Sequence, residues 1–203
     1  MSNSEPSSLR LIFPSMSMAR LVIFFFVHPG ERLHIRELMR RTGLPSASVQ
    51  AELRRLTAIG ALARTDEPGR SLYTANDAHP SWRAWAILIQ ACAAPSDVIR
   101  EALAGLPEIT CAFIFGSTAR GTAAPESDVD VFIVAEQPAR AATERVLAEV
   151  PILIGREIDV IGYDAEELSA RLESGNAFVE DVLAAPRIWI RGGPQSIPVL
   201  EPA

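Results

Sequence analysis

Lysine is absent from the 203 residues, so all 19 basic side chains are arginine. That reads as base composition rather than chemistry. Cysteine occurs twice, at Cys92 and Cys111, too few for a disulfide-stapled secreted scaffold. Long apolar runs are missing too: Leu21 to Val27 is the longest, at seven residues, against the ~20 that a membrane span needs. It follows a polar stretch and runs into His28-Pro29-Gly30 without a small-residue cleavage site, so no signal peptide is expected. These absences point to a soluble cytoplasmic protein without a membrane partner. What is present is ordinary for a globular chain, 48% hydrophobic and 22% charged, with room for one large domain or two modest ones.

Charge divides the chain. Residues 1–95 hold 11 Arg and 7 acids, whereas residues 96–203 hold 8 Arg and 18 acids. One part tolerates polyanions and the other is suited to holding cations.

The pattern of elements divides it again. Residues 1–15 read as a loose arm. An apolar helix spans Met16 to Val27, an amphipathic one Leu33 to Thr42 with Gly43 as its stop, and a third Ala47 to Ile59 behind Ser46 as N-cap. Two short extended runs around Pro68-Gly69 make a hairpin. A helix from Ser81 to Ala93 carries Trp82 and Trp85, read as interdomain or dimer packing. The boundary is expected at Ala94-Pro95-Ser96. Beyond it, strands at 110–115, 128–135, 157–163 and 187–191 alternate with helices at 139–149, 165–174 and 177–183, which predicts an α/β sheet covered by helices. The expected domains are 16–94, with its last helix as linker, and 95–192, followed by a loose tail over 193–203.

The order helix, helix, turn, helix, hairpin resembles the winged helix-turn-helix domains of ArsR- and MarR-type regulators over about residues 16–78. That implies a recognition helix offering Ser46, Ser48, Gln50, Arg54 and Arg55 to double-stranded DNA, with Arg64 and Arg70 on the wing. Small winged helices also serve as dimerisation or docking modules, and the arginines are equally readable as a solvated face.

The second half carries the sharper signal. Gly116-Ser117-Thr118-Ala119-Arg120-Gly121 follows a predicted strand, a position where Gly116 admits a phosphate and Ser117 donates to it. Asp128 and Asp130, two apart on the next strand, project from one face. Carboxylates so placed repel unless a cation lies between them. Asp159 stands inside the apolar strand Glu157-Ile158-Asp159-Val160-Ile161, where an unpaired carboxylate is costly. If that strand neighbours the Asp128–Asp130 strand, the three acids converge.

The combination resembles minimal bacterial nucleotidyltransferases of the DNA polymerase β superfamily, over residues 96–192. The resemblance implies an α/β mixed-sheet nucleotidyltransferase fold with a separate N-terminal winged-helix domain. It also implies roles: Gly116, Ser117 and Arg120 for the triphosphate of ATP, Asp128 and Asp130 for two Mg²⁺ ions, and Asp159 for the catalytic ion and the incoming hydroxyl. Arg120 is as well explained by a loop carbonyl or by Glu126. Minimal members often modify a HEPN-type toxin as antitoxins, so the expected acceptor is a protein. The chain shows no large helical domain after residue 191 of the kind that holds an antibiotic. The alternative is a DNA-binding regulator whose transferase fold senses nucleotide; a homodimer fits either. Asp164 reads as a helix cap, His28, His34 and His79 as loop or core residues, and both cysteines as buried thiols.

Overall fold

The computed structural model describes residues 7–124 and 126–197. It divides into two compact units, Met1–Gly105 with Ile152–Gly155, and Leu106–Pro151 with Arg156–Ala203.

In the first unit, α1 (Leu9–Ile12) precedes α2 (Met16–Phe26), which Ser15 caps by accepting from the Met18 N–H at 3.0 Å. Nearly every side chain from Met18 to Phe26 is buried, as a helix apolar on all faces requires. A two-residue strand, β1 (Leu33–His34), leads into α3 (Ile35–Thr42), which ends at Gly43 in the left-handed conformation. Helix α4 (Ser46–Ala58) buries Val49, Leu53 and Leu56. Pro45 is its N-cap, so Ser46 is already helical and not the cap its chemistry suggests. Strands β2 (Leu62–Glu67) and β3 (Arg70–Ala75) form the expected hairpin, and β1 joins β3 to give the order β1-β3-β2.

Helices α5 (Pro80–Cys92) and α6 (Pro95–Ala102) complete this unit. Trp82 stacks on Phe26 with ring centroids 4.0 Å apart, and Trp85 on Phe13 at 4.7 Å, so both tryptophans serve packing inside the unit. The division at Gly105/Leu106 lies beyond the expected boundary at residues 94–96 because α6 belongs with α2: Arg20 Nε donates to Glu101 at 2.6 Å. The loose arm expected over 1–15 is also shorter. Ser8 donates twice to Asp97 at 2.7 Å, and Leu9 and Phe13 are buried. Residues 1–6 of that arm lie outside the described residues.

The second unit is a mixed four-stranded sheet in the order β6-β5-β4-β7. Strand β4 (Cys111–Ile114) leads through the short α7 (Gly116–Arg120) to β5 (Val129–Val134). Helix α8 (Ala139–Leu147) is followed by α9 (Pro151–Ile154), of which Ile152–Ile154 count with the first unit, and then by β6 (Ile158–Tyr163), which runs parallel to β5. Helices α10 (Ala165–Glu173) and α11 (Ala177–Ala184) and strand β7 (Ile188–Arg191) follow. The core of this unit joins Cys111, Phe113, Phe115, Phe132 and Val134 of the sheet to Leu168 of α10 and Val179 and Val182 of α11. Full burial of Phe113 and Phe132 contributes roughly 1.5–3 kcal/mol each. The tail expected to be loose from 193 forms a 3-10 turn at Pro194–Ser196 and buries Ile197 in the same core; residues 198–203 lie outside the described residues.

Candidate active site

The acids gather where β4 ends and β5 and β6 begin. Parallel pairing sets Asp130 of β5 directly beside Asp159 of β6. Alternation along each strand puts Asp130 on the face of Phe132 and Val134, and Asp159 on that of Ile161 and Tyr163. That is the face α10 and α11 cover. Asp128 lies just before β5 and is exposed, as is Asp159, whereas Asp130 is half-buried.

Gly116 joins this group from the other side. The Phe115 N–H donates to the Asp130 carbonyl at 3.0 Å, and the chain then turns at Gly116 with φ of +66°. A Cβ on Gly116 would stand 2.0 Å from Asp130 Oδ2. Both the backbone conformation and the carboxylate behind it therefore demand glycine here. The Ser117 carbonyl accepts from the Thr122 N–H at 3.0 Å, which closes the turn after α7.

Electrostatics agree with this crowding. Asp130 is raised above the usual carboxylate range, first by burial, then by the negative charges of Asp159 and Asp128, with Arg120 opposing them. Arg120 is exposed at the last turn of α7 and opposes the rise at Asp130 through its charge. Three carboxylates that repel one another around a half-buried position, all with hard oxygen donors, suit Mg²⁺. Among the described residues, no three His, Cys, Asp or Glu side chains form a group arranged to hold a metal ion. The acids are thus neighbours in register and charge without being gathered into a cage.

Arg156 is the participant that sequence reading missed. Its Nε donates to the Ser127 carbonyl, and its Nη2 donates to Thr118 Oγ1 at 2.9 Å and to the Asp128 carbonyl at 3.0 Å. One guanidinium thus joins α7 to the loop that carries Asp128, three residues before Asp159. Its place just ahead of an acid-bearing strand was the only available sign.

The remaining polar candidates have other work. Asp164 caps α10 in a reciprocal box with Glu167. His34 and His79 cap α3 and α5. His28 packs on the Phe24 ring and lies 3.4 Å from Glu31. Cys111 is buried as expected, and burial pushes its thiol up to about 11; Cys92 is exposed, contrary to expectation, because it falls on the outer side of α5.

In the first unit, Gln50, Arg54, Arg55, Arg64 and Arg70 are exposed, and Ser46 and Ser48 are half-buried. Gln50 donates to Ser46 at 3.0 Å, Arg55 to the buried Glu52, Arg64 to Asp66 and Arg70 to Glu67. Arg54 has no ion pair among the described residues.

No helix among the described residues is long and apolar enough to cross a membrane. No curated protein matches the chain. A solved chain described as "Crystal structure of the toxin-antitoxin with AMP-PNP" is 17% identical, with a TM-score of 0.32, over 47% of this chain and 75% of its own. Residues 97–174, which include Gly116, Ser117, Asp128, Asp130 and Asp159, match the family described as polymerase beta, nucleotidyltransferase.

Proposed function

We propose that the protein is a Mg²⁺-dependent enzyme that moves AMP from ATP to a hydroxyl on a protein acceptor. The observation that carries this reading is the register of Asp159 with Asp130, beside a glycine turn that the Asp130 carboxylate fills. Asp128 and Asp130 would hold two Mg²⁺ ions, with Asp159 sharing the one nearer the acceptor. When bound, such ions lower the pKa of the attacking hydroxyl and offset charge on the phosphates.

The protein's own groups do the rest. Gly116 lets the backbone approach the triphosphate, Ser117 donates its hydroxyl to it, and Arg120 supplies positive charge at the same end. Asp159 accepts the acceptor's proton as its oxygen bonds to the α-phosphorus and the bond to pyrophosphate breaks. Exposure of Asp128 and Asp159 leaves the acids within reach of a folded partner, which favours a protein acceptor. A HEPN-type toxin is the acceptor in this reading, and the chain its antitoxin.

Asp159→Asn tests it. The variant should keep most ATP binding and lose label transfer from α-labelled ATP by about a hundredfold or more, equivalent to about 2.7 kcal/mol. The assay includes a lysate of the host as acceptor source. Equal transfer by both proteins would remove Asp159 from the reaction.

A second reading is favoured by the helix α4 and the β2–β3 hairpin: a DNA-binding regulator of winged-helix type whose transferase domain senses nucleotide. Arg54, exposed and without an ion pair among the described residues, supports it. Both readings are compatible in one autoregulating antitoxin.

A further inference from the structure

The row of residues that crosses the sheet at the acids does not end with an acid. Asp159 on β6 is beside Asp130 on β5, and Phe115, bonded through its N–H to the Asp130 carbonyl, is next in line after β4. Antiparallel partners share a face, so Phe115 lies on the same face of the sheet as Asp130. Against Phe115, edge-on with centroids 6.3 Å apart, lies the ring of Phe178 in the first turn of α11. Phe115 is buried, but Phe178 is 45% exposed, while Val179 and Val182 of the same helix are buried. An aromatic ring is therefore presented to solvent, one ring away from the glycine turn.

We propose that Phe178 is the stacking wall for the nucleobase of the bound nucleotide. The inference rests on the transferase reading and deepens it. Position selects the base over the acceptor. In the sheet order β6-β5-β4-β7, Asp159, which would take the acceptor's proton, is on β6. The Gly116–Ser117 turn and Phe178 are on the β4 side, across Asp130 from it. A nucleotide whose phosphates occupy that turn has its base on the phenylalanine's side, and the acceptor approaches from the other. Every base offers a π face, so a wall of this kind tolerates any of the four.

The test separates base from phosphates. Calorimetry with Mg²⁺ measures ATP and inorganic tripolyphosphate on the wild-type chain and on Phe178→Ala, Phe178→Leu and Phe178→Trp. Phe178→Ala should weaken ATP about tenfold, within the range of a lost base-stacking contact, and leave tripolyphosphate unchanged. Phe178→Trp should restore ATP, and Phe178→Leu only in part. GTP, CTP and UTP should lose affinity alongside ATP. Equal weakening of ATP and tripolyphosphate would overturn the proposal, since Phe178 would then act only through Phe115. Unchanged ATP affinity with reduced label transfer would also overturn it and assign the ring to the acceptor. If the wild-type chain binds neither ATP nor tripolyphosphate, the transferase reading falls as well.

Discussion

A guanidinium carries five N–H donors in a planar fork, and Arg156 uses three of them on three different groups. None of those groups is an acid side chain, so its effect on Asp128 passes through backbone carbonyls. Arg156→Ala leaves two carbonyls without their donor and should cost about 2 kcal/mol in denaturant unfolding. Thr118→Val removes one bond and should cost about 1 kcal/mol. Because both act on one network, the double variant should fall short of the sum by at least about 0.5 kcal/mol. Simple additivity would mean that the network does not hold α7 to the loop before β5. Gly116 makes a related point: its conformation and the Asp130 oxygen behind it each forbid a side chain, so the Gly-Ser turn was readable in sequence while the reason for its glycine was not.

Among the elements, those with clear periodicity were legible. Helices α2, α4, α5, α10 and α11 and strands β2 to β7 lie within a few residues of expectation, because burial enforces their patterns. The short elements were not. A two-residue strand such as β1 has no period to detect, and it exists because β3 offers a free edge. Helix α9 is four residues long and was hidden in the same way. The β2–β3 hairpin shows the limit of reading charge from sequence. Arg64 and Arg70 are exposed, yet each is bonded to an acid of its own hairpin, Asp66 and Glu67. Such exposed, salt-screened pairs are cheap to exchange for phosphates. In the DNA-binding reading, helix α4 is then the decisive element. Arg54→Ala should weaken retardation of the chain's own upstream region in gel shifts and flatten the log–log salt slope by about 0.9. Absence of retardation at low salt by the wild-type chain would assign α4 another role.

At the scale of the whole molecule, the site needed tertiary information. That Asp159 is an acid in an apolar strand was visible in sequence; that β6 pairs with β5 in the register that puts it beside Asp130 was not. Exposure of Phe178 was equally hidden, since Phe178 and Val179 are adjacent apolar residues and nothing in α11 tells which of the two faces the core. Global stability carries a pH signature of its own. His28 is pushed down to about 4, chiefly by burial, then by Arg41, with Glu31 opposing. The fold favours its neutral ring, so the unfolded chain takes up a proton first as the pH drops. Stability should therefore decline from about pH 6.5 to about pH 4, by up to about 3 kcal/mol from this group. Unfolding free energies against pH should show a shallower decline in His28→Gln; parallel curves would mean that His28 is solvated.

The two thiols differ in a way that the chain's composition conceals. Cys92 is on the open side of α5, whereas Cys111 is enclosed at the start of β4 with its proton held up to about 11. Thiolate is the reactive form, so alkylating reagents at neutral pH discriminate between them. A dye attached to the native protein reports from the first unit alone. Cys111 becomes available only when β4 leaves the sheet, which makes its modification a covalent record of each opening of the β4 region beside the acids.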